Sequence, residues 1–171
     1  CRPFDADRKG INLGECAAAI VLSADPEVRG VKSKVRILGC GLSNDANHIS
    51  GPSRTGEELA FAVRQSMEEA QIGREEIDFI SAHGTATLYN DEMEAKAFSV
   101  LEMNDIPMHS LKGYFGHTLG AAGVAEVAMS AHSLLMNELV SSKGFEKLGV
   151  SQQVNVIRAA EKRALKTCLK T

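Results

Sequence analysis

IDFISAHGTATLYNDEMEA, residues 77–95, decides how the rest of the chain reads. Its opening, residues 77–82, is rich in isoleucine and phenylalanine and has the length of a buried strand. The strand ends at His83 and a short loop follows. From Asp91 to residue 103 the apolar residues recur at helical spacing, with Asn90 placed to cap that helix. Strand, loop and helix in that order predict an α/β fold. The loop after such a strand is where α/β proteins place functional side chains. A lone histidine there serves structure more often than catalysis, so His83 carries no assignment by itself.

Downstream, residues 106–110 read as a second short strand, followed by SLKGYFGHTLGAAG, residues 110–123. Lys112 and then His117 lie in a glycine-rich turn that runs into a helix over 118–136. The composition of that helix predicts burial nearly all round. The turn is either a tight strand-to-helix connection or a backbone cradle at a helix N-terminus. A Walker loop is excluded, because no GxxxxGK[ST] pattern occurs and Lys112 precedes the glycines. Glu126 falls among apolar neighbours, where a carboxylate needs a cation, and Lys112 is the natural partner. His132, His109 and His48 carry weak signals. His83, His117 and Asp91 are a candidate His-metal cluster, but they lack zinc-type spacing.

Upstream, Thr55 and Glu58 in TGEE have the spacing of a capping box. Leu59, Val63, Met67 and Ala70 then mark a helix that stops at Gly73. Residues 17–23 and 34–42 read as two strands, and a Gly/Ser/Pro-rich loop over 43–54 sets them apart from the rest. Residues 154–158 and 164–169 are candidate closing strands.

The 171 residues carry a net charge of -3 and are 44% hydrophobic, which suits one domain with a core. The mild acidity argues against nucleic acid as a partner. No long uncharged apolar run and no basic leader are visible, so no membrane association is expected. Cys1, Cys16, Cys40 and Cys168 are scattered, as expected of reduced thiols in the cytoplasm. A start at Cys1 and an end at ALKTCLKT lead us to expect a piece of a larger protein.

Four segments together resemble the elongating β-ketoacyl-acyl-carrier-protein synthases of the thiolase-like superfamily. CRPFDADRKGINLGE (1–15) is similar to their RPFDxxRDGFxxGEG, and VRILGCGLSNDANHISGP (35–52) to the strand and loop leading to a DAxH…P pattern. SAHGTATLYNDEMEA (81–95) is similar to AHGTSTxxGDxxEA, and SLKGYFGHTLGAAGVAE (110–126) to STKxxxGHxxGAAGxxE. The resemblance implies mixed sheets covered by helices in a layered αβαβα architecture. Residues 1–54 would be the tail of the N-terminal half, and 55–171 the C-terminal domain without its final GFGG loop. The family's nucleophilic cysteine is absent from this chain.

The implied chemistry is decarboxylative condensation of malonyl-carrier protein with an acyl-enzyme thioester, in fatty-acid or polyketide-like biosynthesis. His83 and His117 match the two histidines that stabilise the enolate, and Lys112 the lysine that orients them. Asp91 and Glu126 match supporting acids, and Thr85 and Thr87 match threonines that contact the pantetheine arm. No cofactor or metal is implied beyond a monovalent cation near Glu126 in some relatives. Acyl carrier protein and a homodimer or related heterodimer are the implied partners. Asn90-Asp91-Glu92-Met93-Glu94 departs from GDxxE, Ala86 replaces a serine, and Cys16-Ala17-Ala18 departs from GEGAG, which points to a divergent member. A non-catalytic chain-length subunit is the alternative, disfavoured by retention of both histidines. A degradative thiolase is disfavoured because its histidine and C-terminal cysteine motifs are not found.

Overall fold

The computed structural model describes residues 1–28, 31, 32, 34–47 and 51–171. His48, and with it the histidine of the DAxH-like pattern, lies outside the described residues. In chain order come the hairpin β1 (Glu27–Val28) and β2 (Val31–Lys32), helix α1 (Glu57–Ala70), strand β3 (Phe79–Ser81) and helix α2 (Leu88–Val100). Strand β4 (Met108–His109) and the one-turn helix α3 (Lys112–Phe115) lead to α4 (Ala122–Met136), entered through a 3-10 turn. Strands β5 (Glu138–Leu139), β6 (Glu161–Lys162) and β7 (Cys168–Lys170) close the chain.

All three residues of β3 are buried, which explains the apolar run at 77–82. β3 pairs in parallel with β4 on one side and with β7 on the other. Successive side chains leave opposite faces of the sheet. Ile80 joins Phe4, Val63 of α1, Phe98 of α2 and Met108 in one core. Phe79 joins Leu139, Ile157 and Leu165 in the other, against Leu134 of α4. Helices therefore cover both faces of a parallel sheet, and the expected α/β fold is the one observed.

Both predicted helix starts shift. α1 begins after Gly56, which has φ 79° and no side-chain cap, so the Thr55–Glu58 capping box does not form. A Cβ on Gly56 would stand 2.6 Å from the Met93 carbonyl oxygen and 2.7 Å from the Ala97 amide nitrogen. The close approach of α1 to α2 thus requires glycine at the cap. α2 starts earlier than predicted, and Thr87 rather than Asn90 caps it, its hydroxyl accepting from the Asn90 N–H at 3.4 Å.

Residues 17–23 and 34–42 form no strand. A strand is defined by its ladder, and no strand ladder includes either segment among the described residues. Val21 is 90% exposed and Leu42 85% exposed. The second segment docks instead on α1, where Glu69 accepts from the Cys40 amide and Gln65 from the Leu42 amide. Residues 154–158 contribute only an isolated bridge from Val156 to Met108, and the last predicted strand forms as β7, at 168–170.

α4 is buried along one side only. Ala125, Glu126, Ser130 and Ser133 face inward while Met129, Leu135 and Met136 are exposed, because the sheet covers a single face. Residues Leu119–Met136 are long and apolar enough to cross a membrane by length and composition, although Glu126 interrupts the run. Glu126 is fully buried and paired to Lys112, which ties this helix to the protein core.

Candidate active site

Lys112 sits at the start of α3, just beyond β4, with 1% of its surface exposed. A buried ammonium must be compensated. Its Nζ lies 2.7 Å from Glu126 Oε1, 2.6 Å from the His83 carbonyl oxygen and 3.1 Å from His83 Nδ1. An ammonium group only donates, so His83 Nδ1 accepts and the ring proton resides on Nε2. The His117 ring stands edge-on to His83, with centroids 5.0 Å apart. Its Nδ1 accepts from the Leu119 N–H at 3.0 Å, so its proton is also on Nε2.

Both rings are neutral donors. Burial lowers the pKa of His83 to about 4, and Lys112 adds to the shift. Burial and then Lys112 also lower that of His117. Glu126 is pushed up by burial, but Lys170 and Lys112 together outweigh that and hold its carboxyl below the usual range. Lys170 Nζ lies 2.9 Å from Glu126 Oε2, at ion-pair distance though not aligned as a hydrogen bond.

His117 is held by the chain's first residues. Its N–H donates to the Asn12 carbonyl at 2.7 Å, and its carbonyl accepts from the Gly14 N–H at 3.1 Å. A Cβ on Gly14 would stand 1.8 Å from the Phe115 carbonyl oxygen, so this crossing tolerates no side chain.

The loop carrying His83 is held from beneath by two carboxylates of α2. Glu94 accepts from the Gly84 N–H at 3.0 Å and from Asn90 Nδ2 at 2.9 Å. Asp91 accepts from the Phe4 N–H at 2.7 Å and the Ala86 N–H at 3.1 Å, with Arg8 Nε 3.7 Å away. Burial pushes Asp91 up to about 6, and burial together with Asp91 pushes Glu94 up to about 7. Thr85 and Thr87 share a hydroxyl–hydroxyl bond of 2.8 Å on the same loop.

The structure thus brings His83, His117, Lys112 and Glu126 into one cluster. Thr85 and Thr87 share the His83 loop. Asp91 bonds the backbone of that loop and the 4–8 segment rather than Lys112. Three contributors escaped sequence reasoning. Lys170 lies one residue beyond the strand predicted over 164–169. Glu94 lies within the 81–95 motif, where the resemblance implies no role for it, and Arg8 is far along the chain from the loop it supports. The signal for Glu94 was a carboxylate three residues after Asp91 on one helix.

The Glu126 surroundings do not fit a metal cation. Two ammonium groups already face this single carboxylate, and a further cation would meet net positive charge. Among the described residues no group of three or more His, Cys, Asp or Glu side chains is arranged to hold a metal ion.

Residues 35–146 match the family model for the β-ketoacyl synthase C-terminal domain. The chain is similar to 3-oxoacyl-(acyl-carrier-protein) synthase 2 of Rhizobium meliloti, with 34% identity over 98% of this chain and 41% of that protein. It is similar to the mitochondrial 3-oxoacyl-(acyl-carrier-protein) synthase of Arabidopsis thaliana, with 35% identity over 75% of this chain and 30% of that protein. Among solved structures it resembles a β-ketoacyl synthase from Burkholderia phymatum, with a TM-score of 0.84 and 28% identity over 96% of this chain and 41% of that one. It also resembles the ishigamide ketosynthase/chain length factor, with a TM-score of 0.80 and 27% identity over 96% of this chain and 41% of that one. The chain therefore spans about 41% of the length of the Rhizobium relative.

Proposed function

The chain belongs to the β-ketoacyl synthase family, and we propose that it supplies the decarboxylating side of a condensing enzyme acting on malonyl-carrier protein. The observation that carries this reading is the shared tautomer. His83 and His117 both present Nε2–H, since both Nδ1 atoms accept. Two neutral donors side by side suit one thioester carbonyl oxygen.

With malonyl thioester bound there, the bond to its carboxylate breaks and carbon dioxide leaves. The released electron pair delocalises onto the carbonyl oxygen as an enolate, which the two Nε2–H groups stabilise. The enolate carbon then attacks the acyl thioester on a cysteine that this chain does not supply, the new carbon–carbon bond forms, and the thiolate leaves. Donors aimed at a developing oxyanion contribute roughly 3 kcal/mol each. Lys112 holds both rings in the right state, directly for His83 and through its charge for His117. Thr85 and Thr87, one step along the loop, would meet the pantetheine arm.

In this reading residues 1–54 complete an N-terminal half and 55–171 form the C-terminal domain. Acyl carrier protein delivers both thioesters, and the working form is a dimer of like or related subunits. A solved relative pairs a ketosynthase with its chain length factor. The reaction belongs to acyl transfer in fatty-acid or polyketide-like synthesis, in the cytoplasm.

The test is carbon dioxide release from malonyl-carrier protein by a full-length enzyme containing this sequence. Release that depends on both histidines supports the reading. Absence of release by the intact enzyme moves the chain to the non-catalytic subunit class.

A further inference from the structure

A polar row crosses the sheet beneath the cluster. Ser81 pairs in register with His109 of β4 on one side and Lys170 of β7 on the other. Register partners leave the same face of the sheet, and here it is the face toward α4, as the packing of Phe79 and Cys168 with Leu134 shows. Ser81 Oγ and His109 Nε2 in this row have no hydrogen-bond partner. Lys170 reaches out of the row to Glu126 Oε2, its side chain 16% exposed, and its Nζ also donates to the Thr171 carbonyl. Glu126 is therefore gripped by two cations, Lys112 on Oε1 and Lys170 on Oε2. One lysine would leave the pair neutral, whereas two leave the buried triad with one net positive charge.

We propose that Lys170 is a positioning residue of this site: it keeps Glu126 Oε1 turned onto Lys112, and it supplies a second cation to the cluster that favours an anion at His83 Nε2. The inference rests on the reading of His83 as an enolate donor. Glu126 would otherwise be free to rotate away from Lys112, and Lys112 would lose the partner that aims it at His83 Nδ1. The charged and titratable groups facing His83 are Lys112 from α3, Glu126 from α4, Lys170 from β7 and His117 from the turn after α3. Glu94 of α2 acts on the adjacent Gly84 amide. Among these, Lys112, Lys170 and, least, His117 oppose protonation of His83 after burial has done so, while Glu126 favours it.

The test is the His83 titration midpoint, read by NMR of nitrogen-labelled histidine in this chain. Lys170→Met should raise the midpoint by about one pH unit, a typical effect of losing one nearby like charge. Lys170→Arg, with the charge retained, should leave it within a few tenths of a unit. Where Lys170→Met does not fold, Lys170→Gln gives the same comparison. A merely structural role would loosen the site and raise the midpoint equally in the neutral and charged variants. That outcome, or an unchanged midpoint in Lys170→Met, overturns the proposal. In the full-length enzyme Lys170→Met should lower carbon dioxide release about tenfold, with recovery in Lys170→Arg. Normal release beside a shifted midpoint overturns the catalytic half of the proposal. Failure of the parent reading shows separately, as full release by His83→Ala, and does not touch the titration result.

Discussion

Lys112 Nζ lies 3.1 Å from His83 Nδ1, and this contact makes His83 a donor at Nε2 rather than a base at Nδ1. A histidine so held resists protonation at Nδ1 while Lys112 stays charged. The cluster is built to give hydrogen bonds to an oxygen rather than to remove protons from a nucleophile.

Replacing either His83 or His117 with alanine in the full-length enzyme should lower carbon dioxide release by about two orders of magnitude. Labelled acyl loading should fall much less, because enolate charge develops only in the decarboxylation step. Parent-level release in both variants would remove the proposed mechanism.

Lys112→Ala should act more broadly. It removes the donor that sets the His83 tautomer and one of the two cations on a fully buried carboxylate. Breaking a buried pair costs about 3–5 kcal/mol, and Lys170, still beside Glu126, should hold the loss to the low end. Denaturant unfolding of this chain checks the stability, and the His83 tautomer read by NMR checks the contact.

Glu94 and Asp91 should each withdraw stability as pH rises toward neutrality, against the opposite contribution of His83 and His109, whose pKa values burial lowers to about 4. Glu94 has its pKa raised from 4.5 to about 7 in the folded chain, mainly by burial, and Asp91 from 3.8 to about 6. A raised carboxyl binds its proton more tightly folded than unfolded. Its contribution is whole below the unfolded value and is lost as pH climbs through the folded one. Glu94→Gln, which keeps an acceptor for the Gly84 amide, should make the slope of stability against pH more positive than in the parent between pH 4.5 and about 7. Denaturation midpoints measured across that window would show it, and an unchanged slope would mean that Glu94 titrates normally.

This chain alone should not retain an acyl group. A thiol reacts as its thiolate, and the two thiols that the structure shifts both move away from that form. Burial pushes Cys168 up to about 11, and the Glu69 carboxylate beside Cys40 raises that thiol as well. Incubation with labelled acyl-carrier protein followed by denaturing electrophoresis should leave the chain unlabelled. A stable label would place a nucleophile where none is expected.

The sequence told most where local pattern and tertiary structure agree. The apolar run at 77–82 was legible in the local pattern, and the resemblance of the motifs implied a common cluster for His83, Lys112, His117 and Glu126. Reading failed where a neighbour distant in sequence decides. Thr55 has the chemistry of a cap, yet the backbone of α2 presses so close that Gly56 takes the position. Segments 17–23 and 34–42 have strand composition, but no strand ladder includes either among the described residues. Lys170 at a strand end resembles any solvated lysine until the register with Ser81 places it against Glu126.

The crossing at Gly14 bears on how the protein comes to be active. His117 is fixed by hydrogen bonds to Asn12 and Gly14, residues more than a hundred positions earlier in the chain. Contacts of such sequence separation close large loops, and their entropy cost makes them form late. Helices α1, α2 and α4 need no such closure, so a helical signal will recover during refolding before the two imidazoles face one another. Proper alignment of the His83–His117 pair therefore reports the end of folding, and a preparation judged folded by its helix content alone can still lack a finished site.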